Sequence, residues 1–244
     1  MKVGICSGFA PQGYIQYGKR FLTTAAKYLP ASVDLRVWTE EPVPMPRGEC
    51  MSLWDITGAT ELRDKLSADP RYRGEVQIGR WKPTEKARGY SFKTDGNKFW
   101  KQLVIPEAMA GHMNDGDVLI WVDGDVEFLK PWPDDFIEKR VMNGCDLAYL
   151  ARARGHPEIG WWAIRLNAKS RKFLHEIAEQ YRSGRFEELP EWHSAFQWDH
   201  VRKSAGFREH NLSPGQVGHV WPNTILAPYT RHDKGLRKPG GTRG

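Results

Sequence analysis

Apolar and polar positions along the first forty residues predict a strand, a helix and a second strand in succession. Residues 2–9 alternate and have Ser-Gly near their end, which predicts a first strand. Residues 14–28 carry apolar side chains three and four positions apart, which predicts an amphipathic helix that ends before Pro30. Residues 33–39 predict a second strand. A β–α–β order of this kind predicts a parallel sheet.

The strongest single pattern further along is the run at residues 117–122, DVLIWV. A nearly continuous apolar run of this length predicts a strand that is buried on both faces, in the middle of a parallel sheet. The other periodic segments predict helices over 61–68, 99–112 (with Pro106 as a kink or break), 134–143, 169–181 and 197–204, and strands over 146–150 and 159–166. The chain shows no repeat and no linker, so we expect one α/β domain.

Composition agrees with a globular chain of 244 residues, of which 40% are hydrophobic and 27% are charged. No stretch approaches the ~18 uncharged apolar residues that span a bilayer, and the apolar run at the N-terminus is shorter than that of a signal peptide. Cys6, Cys50 and Cys145 are odd in number and lack metal-binding spacing. We therefore expect free thiols, no transmembrane segment and a cytoplasmic location.

The net charge is +6, and basic residues gather in residues 71–101 and 231–243. A basic surface suits nucleic acid, an anionic membrane or a phosphorylated small molecule. The sequence contains no helix-turn-helix, zinc-finger or RNA-recognition signature, so nucleic acid is not favoured as a partner.

The first candidate for chemistry is Asp123-Gly124-Asp125, which directly follows the buried strand. Ligands of open parallel sheets bind beyond the carboxyl ends of the strands, and two carboxylates there suit Mg²⁺ or Mn²⁺. The alternative is an ordinary hairpin turn, because Asp-Gly between apolar runs is a strong turn signal. A similar pattern at residues 115–117 is expected to be such a turn.

The second candidate is near the C-terminus, where His232, Gly235 and Lys238 occur in a basic segment. A histidine can complete a metal site that already has carboxylates, a glycine allows close approach of the backbone to a phosphate, and a lysine supplies a point charge. The alternative is a solvated basic tail.

A DxD after a buried strand together with a late HxxGxxKP resembles GT-A glycosyltransferases, especially the glycogenin and galactosyltransferase-like family eight. The resemblance implies a Rossmann-like fold with a mostly parallel central sheet flanked by helices. It also implies a hexosyltransferase that uses a nucleotide-sugar donor, with UDP favoured, and Mn²⁺ (or Mg²⁺). The implied metal ligands are Asp123, Asp125 and His232, and the implied contacts of the donor diphosphate are Gly235 and Lys238.

Position within a GT-A fold implies further donor contacts. These are Ser7, Gly8, Phe9, Tyr14 and Glu40 for the nucleotide, Asp95 and Lys101 for the donor sugar and phosphates, and Gly124 within the DxD. Asp95 is also a good N-cap for the helix that follows it, which is the alternative interpretation.

On the acceptor side, Trp161 or Trp162 could stack on a sugar ring, and Glu158 could bind sugar hydroxyls. Glu158 and Asp199 are the two candidate catalytic residues, either of which could stabilise positive charge at the anomeric carbon or activate the acceptor hydroxyl. The alternative for each tryptophan is core packing. Asp199 resembles a downstream acidic position of GT-A enzymes, as a general base in an inverting enzyme or a stabiliser of positive charge in a retaining one. Its alternative is an N-cap. Likeness to family eight favours retention.

The resemblance divides the domain into a nucleotide-binding half (1–125), an acceptor-side half (126–221) and a basic tail that closes the donor site (222–244). The sequence does not distinguish a carbohydrate, a protein or a lipid as the acceptor, and it does not indicate the oligomeric state.

Two other functions remain as alternatives. A sugar nucleotidyltransferase would have a Gly-rich, Arg-containing first loop, which residues 6–18 lack. A basic, Trp-rich glycan-binding module would need no metal.

Overall fold

A large central sheet organises the chain. The structure is a computed structural model, and it describes residues 1–232. The strands are β1 (Val3–Phe9), β2 (Asp34–Thr39), β3 (Glu49–Ser52), β4 (Val118–Val122), β5 (Val126–Phe128), β6 (Leu147–Leu150), β7 (Glu158–Arg165), β8 (Glu209–Asn211) and β9 (Thr230–His232). Seven of them form one sheet with the order β3-β2-β1-β4-β7-β6-β8, and β5 and β9 form a separate two-stranded ribbon.

Most neighbouring strands of the large sheet are parallel. The pairs β1–β2, β2–β3, β1–β4 and β6–β8 are parallel, whereas β7 runs antiparallel to both β4 and β6. The prediction of one α/β domain with a mostly parallel central sheet is therefore confirmed.

The helices flank this sheet. They are α1 (Pro11–Gly13), α2 (Lys19–Tyr28), α3 (Ala59–Ala68), α4 (Pro83–Arg88), α5 (Gly96–Phe99), α6 (Lys101–Ala110), α7 (Ala168–Arg182) and α8 (Ser194–Ala205), with π-helical turns at Tyr14–Gly18 and Phe136–Met142. The predicted helix over 99–112 is interrupted at Trp100, between α5 and α6, whereas Pro106 lies inside α6 without ending it.

Two hydrophobic cores lie on opposite faces of the sheet, and β4 contributes to both. Leu119 and Trp121 belong to the core formed with α3, α6, α7 and α8. Val118, Ile120 and Val122 belong to the core formed with α2 and the π-helical turn at Phe136–Met142. Side chains alternate between the two faces of a strand, so a strand covered on both faces must be apolar throughout. The predicted strand buried on both faces is confirmed, but its surroundings are parallel only toward β1, since β7 on the other side is antiparallel.

Four strands were not predicted, namely β3, β5, β8 and β9. Each is three or four residues long, and β3 and β8 are only partly buried. Such segments are too short to show a period, and they are strands only because a distant partner pairs with them. The clearest case is β9, whose register pairs His232 with Val126.

Cys6, Cys50 and Cys145 are all unpaired, as predicted. Among the described residues, none of the helices has both the length and the apolarity needed to cross a bilayer.

The sheet order also creates a crevice. From β1 the chain continues to β2 on one side, and it later returns to β4 on the other side. A crevice beyond the carboxyl ends of strands at such a reversal is where open α/β sheets bind ligands.

Candidate metal and donor site

A cleft of about 1060 Å³ opens at the carboxyl ends of β1 and β4. Gly8 and Phe9 end β1 and line it, as does the turn that follows β4. The first residues of β7, beginning at Glu158, line it too, because β7 is antiparallel to β4 and starts at the same edge.

Asp123 is held in place by donors from two elements. The Trp121 Nε1–H and the Gln102 side-chain amide both donate to Asp123 Oδ1, each at 3.0 Å. The backbone N–H of Asp123 donates to the carbonyl of Gly160 in β7 at 2.8 Å. One carboxylate oxygen is thus fixed by the protein, and the other, Oδ2, faces Gly160.

Asp125 and His232 meet because β5 and β9 pair. Val126 is opposite His232 in that ribbon, and His232 Nε2 lies 3.0 Å from Asp125 Oδ1. The His232 ring also packs on Trp221, with ring centroids 4.9 Å apart. Both Asp125 and His232 are buried. The middle of the chain and the last described strand therefore supply one cluster.

The ligand atoms of Asp123, Asp125 and His232 lie within 4.8 Å of one another. A Cβ on Gly160 would lie 2.9 Å from Asp123 Oδ2 and 3.0 Å from His232 Cε1, so the missing side chain leaves space between these groups. Carboxylate oxygens suit Mg²⁺ or Mn²⁺, and one imidazole favours Mn²⁺ of the two. The residues present therefore fit a divalent cation.

The electrostatics of the cluster also fit a cation. Burial and the negative charge of Asp125 raise the pKa of Asp123 to about 6. Burial, together with Asp125 and Asp123, raises the pKa of Tyr17 to about 12. Tyr17 lines the cleft from the π-helical turn that precedes α2. The raised pKa values of Asp123 and Tyr17 show that this part of the cleft disfavours further negative charge. A bound cation would therefore be stabilised here by the nearby carboxylates.

Glu158 lies beside this cluster. Its Oε1 accepts from the backbone N–H of Gly160 at 3.3 Å, and its Oε2 forms an ion pair with Arg152. The residue is buried, and both Glu158 and Arg152 line the cleft. A carboxylate therefore faces the cleft close to Asp123.

Another group in the cleft consists of His156, Glu191 and His193, with Lys93 beside them. His156 Nε2 and His193 Nε2 lie 3.0 and 2.8 Å from the same oxygen, Glu191 Oε2. Lys93 Nζ lies 2.8 Å from the other oxygen, Oε1. Burial alone would raise the pKa of Glu191, but these three partners outweigh it and lower that pKa far below its ordinary value.

The structure brings most of the predicted donor and metal residues to the cleft. They are Gly8, Phe9, Lys101, Asp123, Gly124, Asp125 and His232, and the predicted catalytic residue Glu158 lies there too. The Asp123–Asp125 segment is a turn, as the alternative interpretation held, but it does not close a hairpin, because β5 pairs with β9 and not with β4.

Four predicted donor residues do not line the cleft. Ser7 is fully buried, Tyr14 stacks on Phe9 with ring centroids 6.0 Å apart, and Glu40 forms an ion pair with Lys101. Asp95 caps α5 by accepting from the backbone N–H of Lys98 at 2.9 Å. Its capping role is therefore the one that the structure shows.

Three further predicted residues do not line the cleft, namely Trp161 and Trp162 for the acceptor and Asp199 for general base chemistry. Trp161 and Trp162 are fully buried on opposite faces of β7, one in each core, and neither lines the cleft. Asp199 lies inside α8 rather than at its N-cap, and its two oxygens pair with Arg202 at 2.7 Å and Lys203 at 2.8 Å. Gly235 and Lys238 lie outside the described residues.

Sequence reasoning missed several residues of the site. Trp121 lies near the end of β4, two positions before Asp123. Because residues two positions apart on a strand point to the same face, the sequence could have indicated that Trp121 contacts Asp123. Gln102 and Tyr17 carried no signal, because each reaches the site through tertiary packing. The cluster at Glu191 joins three separate segments of the chain and was not visible for the same reason.

Comparison with known proteins relates part of the chain to a glycosyltransferase. No protein-family model matches. The chain is 32% identical over 77 residues to glucoside xylosyltransferase 1 of Gallus gallus, a match that covers 30% of this chain and 18% of that protein. The chain thus spans only a small part of the length of this relative.

Two solved structures of the glycosyltransferase GlyE of Streptococcus pneumoniae TIGR4 are also similar. The apo form matches with a TM-score of 0.45 at 12% identity, over 86% of this chain and 45% of that one. The second structure matches with a TM-score of 0.43 at 12% identity, over 87% of this chain and 45% of that one. A likeness this distant leaves the activity of the chain to be argued from its own residues.

Proposed function

We propose that this chain is a metal-dependent glycosyltransferase of the GT-A type. It would transfer a hexose from a nucleotide-sugar donor, with UDP favoured, to a carbohydrate, protein or lipid acceptor. The observation that carries the proposal is the convergence of Asp123, Asp125 and His232 in a large cleft at the carboxyl ends of β1 and β4. The sequence match to a xylosyltransferase supports the same class of reaction.

In this proposal Asp123, Asp125 and His232 hold Mn²⁺ or Mg²⁺. A divalent cation supplies positive charge that stabilises a departing diphosphate. The protein positions the ligands itself, since Trp121 and Gln102 fix one oxygen of Asp123 and the β5–β9 ribbon fixes His232. Because these ligands are already in position, the protein does not have to rearrange them as the transition state forms, which keeps the activation free energy lower.

Other residues of the cleft would bind the donor. Gly8 and Phe9 end β1 beside the metal ligands, and Gly124 lies between the two aspartates. Lys101 offers a cation in the cleft wall, held by Glu40. Gly235 and Lys238, from the segment after residue 232, remain proposed contacts of the diphosphate, and that segment would help to exclude water.

Glu158 is the proposed carboxylate at the reacting centre. In a retaining transfer, positive charge develops at the anomeric carbon as the diphosphate departs, and a carboxylate beside that carbon stabilises it. Glu158 lies in the cleft next to Gly160 and Asp123, whereas Asp199 lies outside the cleft in an ion pair. We therefore assign this role to Glu158 and not to Asp199.

Calorimetry of UDP binding tests the proposal. We expect UDP to bind wild-type protein with Mn²⁺ and not with a chelator, and we expect Asp125→Asn to abolish the Mn²⁺-dependent binding. Asp115→Asn is the matched control, because Asp115 occupies the similar Asp-Gly-Asp turn but pairs on the surface with Arg171. UDP binding that is equal in chelator would overturn the metal site, and metal-independent glycan binding would support a binding module instead.

Transfer itself needs a second measurement. We expect release of UDP from a UDP-hexose in the presence of Mn²⁺, with Glu158→Gln reducing turnover more than UDP affinity. A thermal-shift screen of nucleotide sugars with Mn²⁺ identifies the base and sugar, because a ligand that binds only the folded state raises Tm. If no nucleotide sugar gives a Mn²⁺-dependent shift, the proposed donor class is wrong.

A further inference from the structure

The cleft contains a second set of metal-type ligands that the proposed transfer does not use. His156, Glu191 and His193 have their ligand atoms within 4.8 Å of one another. None of the three belongs to the group formed by Asp123, Asp125 and His232. We call them the His-Glu-His cluster.

The three side chains converge on a single point. Two imidazole nitrogens, His156 Nε2 and His193 Nε2, lie 3.0 and 2.8 Å from Glu191 Oε2. The two imidazole rings have centroids 5.2 Å apart. Lys93 occupies only the other carboxylate oxygen, Oε1. It therefore orients the carboxylate and leaves Oε2 to the histidines.

The cluster is held rigidly by its surroundings. The backbone N–H of Trp192 donates to the Lys93 carbonyl at 2.6 Å, and the Gln197 side-chain amide donates to the Glu191 carbonyl, also at 2.6 Å. Aromatic rings brace both histidines, with Phe92 4.9 Å from His193 and Phe196 5.2 Å from His156 between ring centroids. His193 is buried. The geometry of the three ligands is thus fixed before any ion binds.

The chemistry of this donor set differs from that of the aspartate site. Two imidazoles and one carboxylate form a ligand set typical of Zn²⁺, whereas carboxylate-rich sites favour Mg²⁺ and Mn²⁺. Three protein ligands leave a coordination position for a further oxygen or nitrogen donor. Because all three residues line the cleft, that position would be open to a cleft ligand.

We propose that the His-Glu-His cluster is a Zn²⁺ site, separate from the Mn²⁺ site. Without an ion, each imidazole donates its Nε2–H to Glu191 Oε2. On binding, each neutral ring carries its proton on Nδ1, so that Nε2 offers a lone pair and no proton need be released from the rings. The Lys93 contact with Oε1 is kept and acts as an outer partner that orients the carboxylate.

The test uses Zn²⁺ as the probe and the full chain in an Asp125→Asn background, which disables the first site. We expect calorimetry and metal analysis after dialysis to give one Zn²⁺ per chain. We expect His156→Ala and Glu191→Gln, added to that background, each to weaken binding by at least about tenfold. Because these variants retain all three cysteines, such a loss excludes a thiol site.

His175→Ala is the matched control. His175 also pairs with a glutamate, Glu107, at 2.9 Å, but it belongs to neither of the two metal-type groups found among residues 1–232. We expect this variant to bind Zn²⁺ as the background protein does. Thermal unfolding of each apo variant confirms that it is folded, and the half-buried His156 keeps the test valid if Glu191→Gln does not fold.

Substitution by Co²⁺ gives a readout that is independent of affinity, because the visible spectrum reports imidazole and carboxylate ligation. The Asp125→Asn protein should show a four-coordinate Co²⁺ spectrum that His156→Ala loses. No Zn²⁺ binding in the Asp125→Asn protein, or binding that survives both cluster substitutions, would overturn the inference. Either result leaves the Mn²⁺-dependent binding of UDP to the wild-type protein as a separate question.

Discussion

Gly160 and Asp123 contact each other across two antiparallel strands. The Asp123 N–H donates to the Gly160 carbonyl at 2.8 Å, and the position of a Cβ on Gly160 lies 2.9 Å from Asp123 Oδ2. The same position lies 3.2 Å from Glu158 Oε1. The absence of one side chain therefore leaves the space that Asp123 and Glu158 share.

Gly160→Ala should abolish Mn²⁺-dependent UDP binding while the protein stays folded. The added methyl group would occupy the space between Asp123 and His232, and position 160 has no positive φ that would strain an alanine. Calorimetry of UDP with Mn²⁺ measures the loss. Gly111→Ala is the control, because its Cβ meets only the Ala108 carbonyl, at 3.2 Å, at the end of α6. Wild-type UDP affinity in Gly160→Ala would show that the cation lies elsewhere.

Metal-free protein should lose stability as pH rises from about 4 to 6, because of Asp123. The pKa of Asp123 is raised from 3.8 to about 6, mainly by burial and then by Asp125. In that interval the unfolded chain gives up the proton while the folded chain retains it, so the free energy of unfolding falls with rising pH. Denaturant unfolding at several pH values, compared with Asp123→Asn, isolates this contribution. If the free energy of unfolding changes with pH equally in the wild-type protein and in Asp123→Asn, the pKa of Asp123 is not raised.

Asp199→Asn should change stability and not turnover. Asp199 pairs with Arg202 inside α8, and both side chains are largely buried, so the loss of a charged hydrogen-bond acceptor should cost about 1.5–3 kcal/mol. Chemical denaturation measures this cost, and UDP release from a nucleotide sugar measures turnover. Glu158→Gln should reduce turnover, and because it also removes the charge that pairs with Arg152, its turnover is measured per folded molecule. If Asp199→Asn abolishes turnover at unchanged stability, Asp199 is the reacting carboxylate instead.

Trp161→Phe and Trp162→Phe should each destabilise the fold by about 0.5–3 kcal/mol, because both indoles fill opposite cores. Neither substitution should change the affinity for an acceptor once one is identified. The comparison of Tm with acceptor affinity separates packing from stacking. A loss of acceptor affinity at unchanged Tm would show that these tryptophans contact the acceptor.

The sequence allowed prediction of the buried strand β4, of the aspartates that follow it and of His232 as their partner. The strand was predictable because burial on both faces requires a continuous apolar run. The positions of Trp161 and Trp162 were not, since a core tryptophan and a sugar-stacking tryptophan occur in the same kind of segment. The contact of Gly160 with Asp123 was also not predictable, because it joins β7 to the end of β4 and no local pattern encodes it.

The ribbon of β5 and β9 has a mechanical consequence. It pairs only three residues on each side, yet it carries His232 to Asp125. An ion bound by both residues would cross-link the chain and close the long loop between them. A cross-link that closes a long loop removes more conformational entropy from the unfolded chain than one that closes a short loop. Exchange of the backbone amide hydrogens of Arg231 and His232 with deuterium should then slow when Mn²⁺ is added, so that these amides report the occupancy of the cleft.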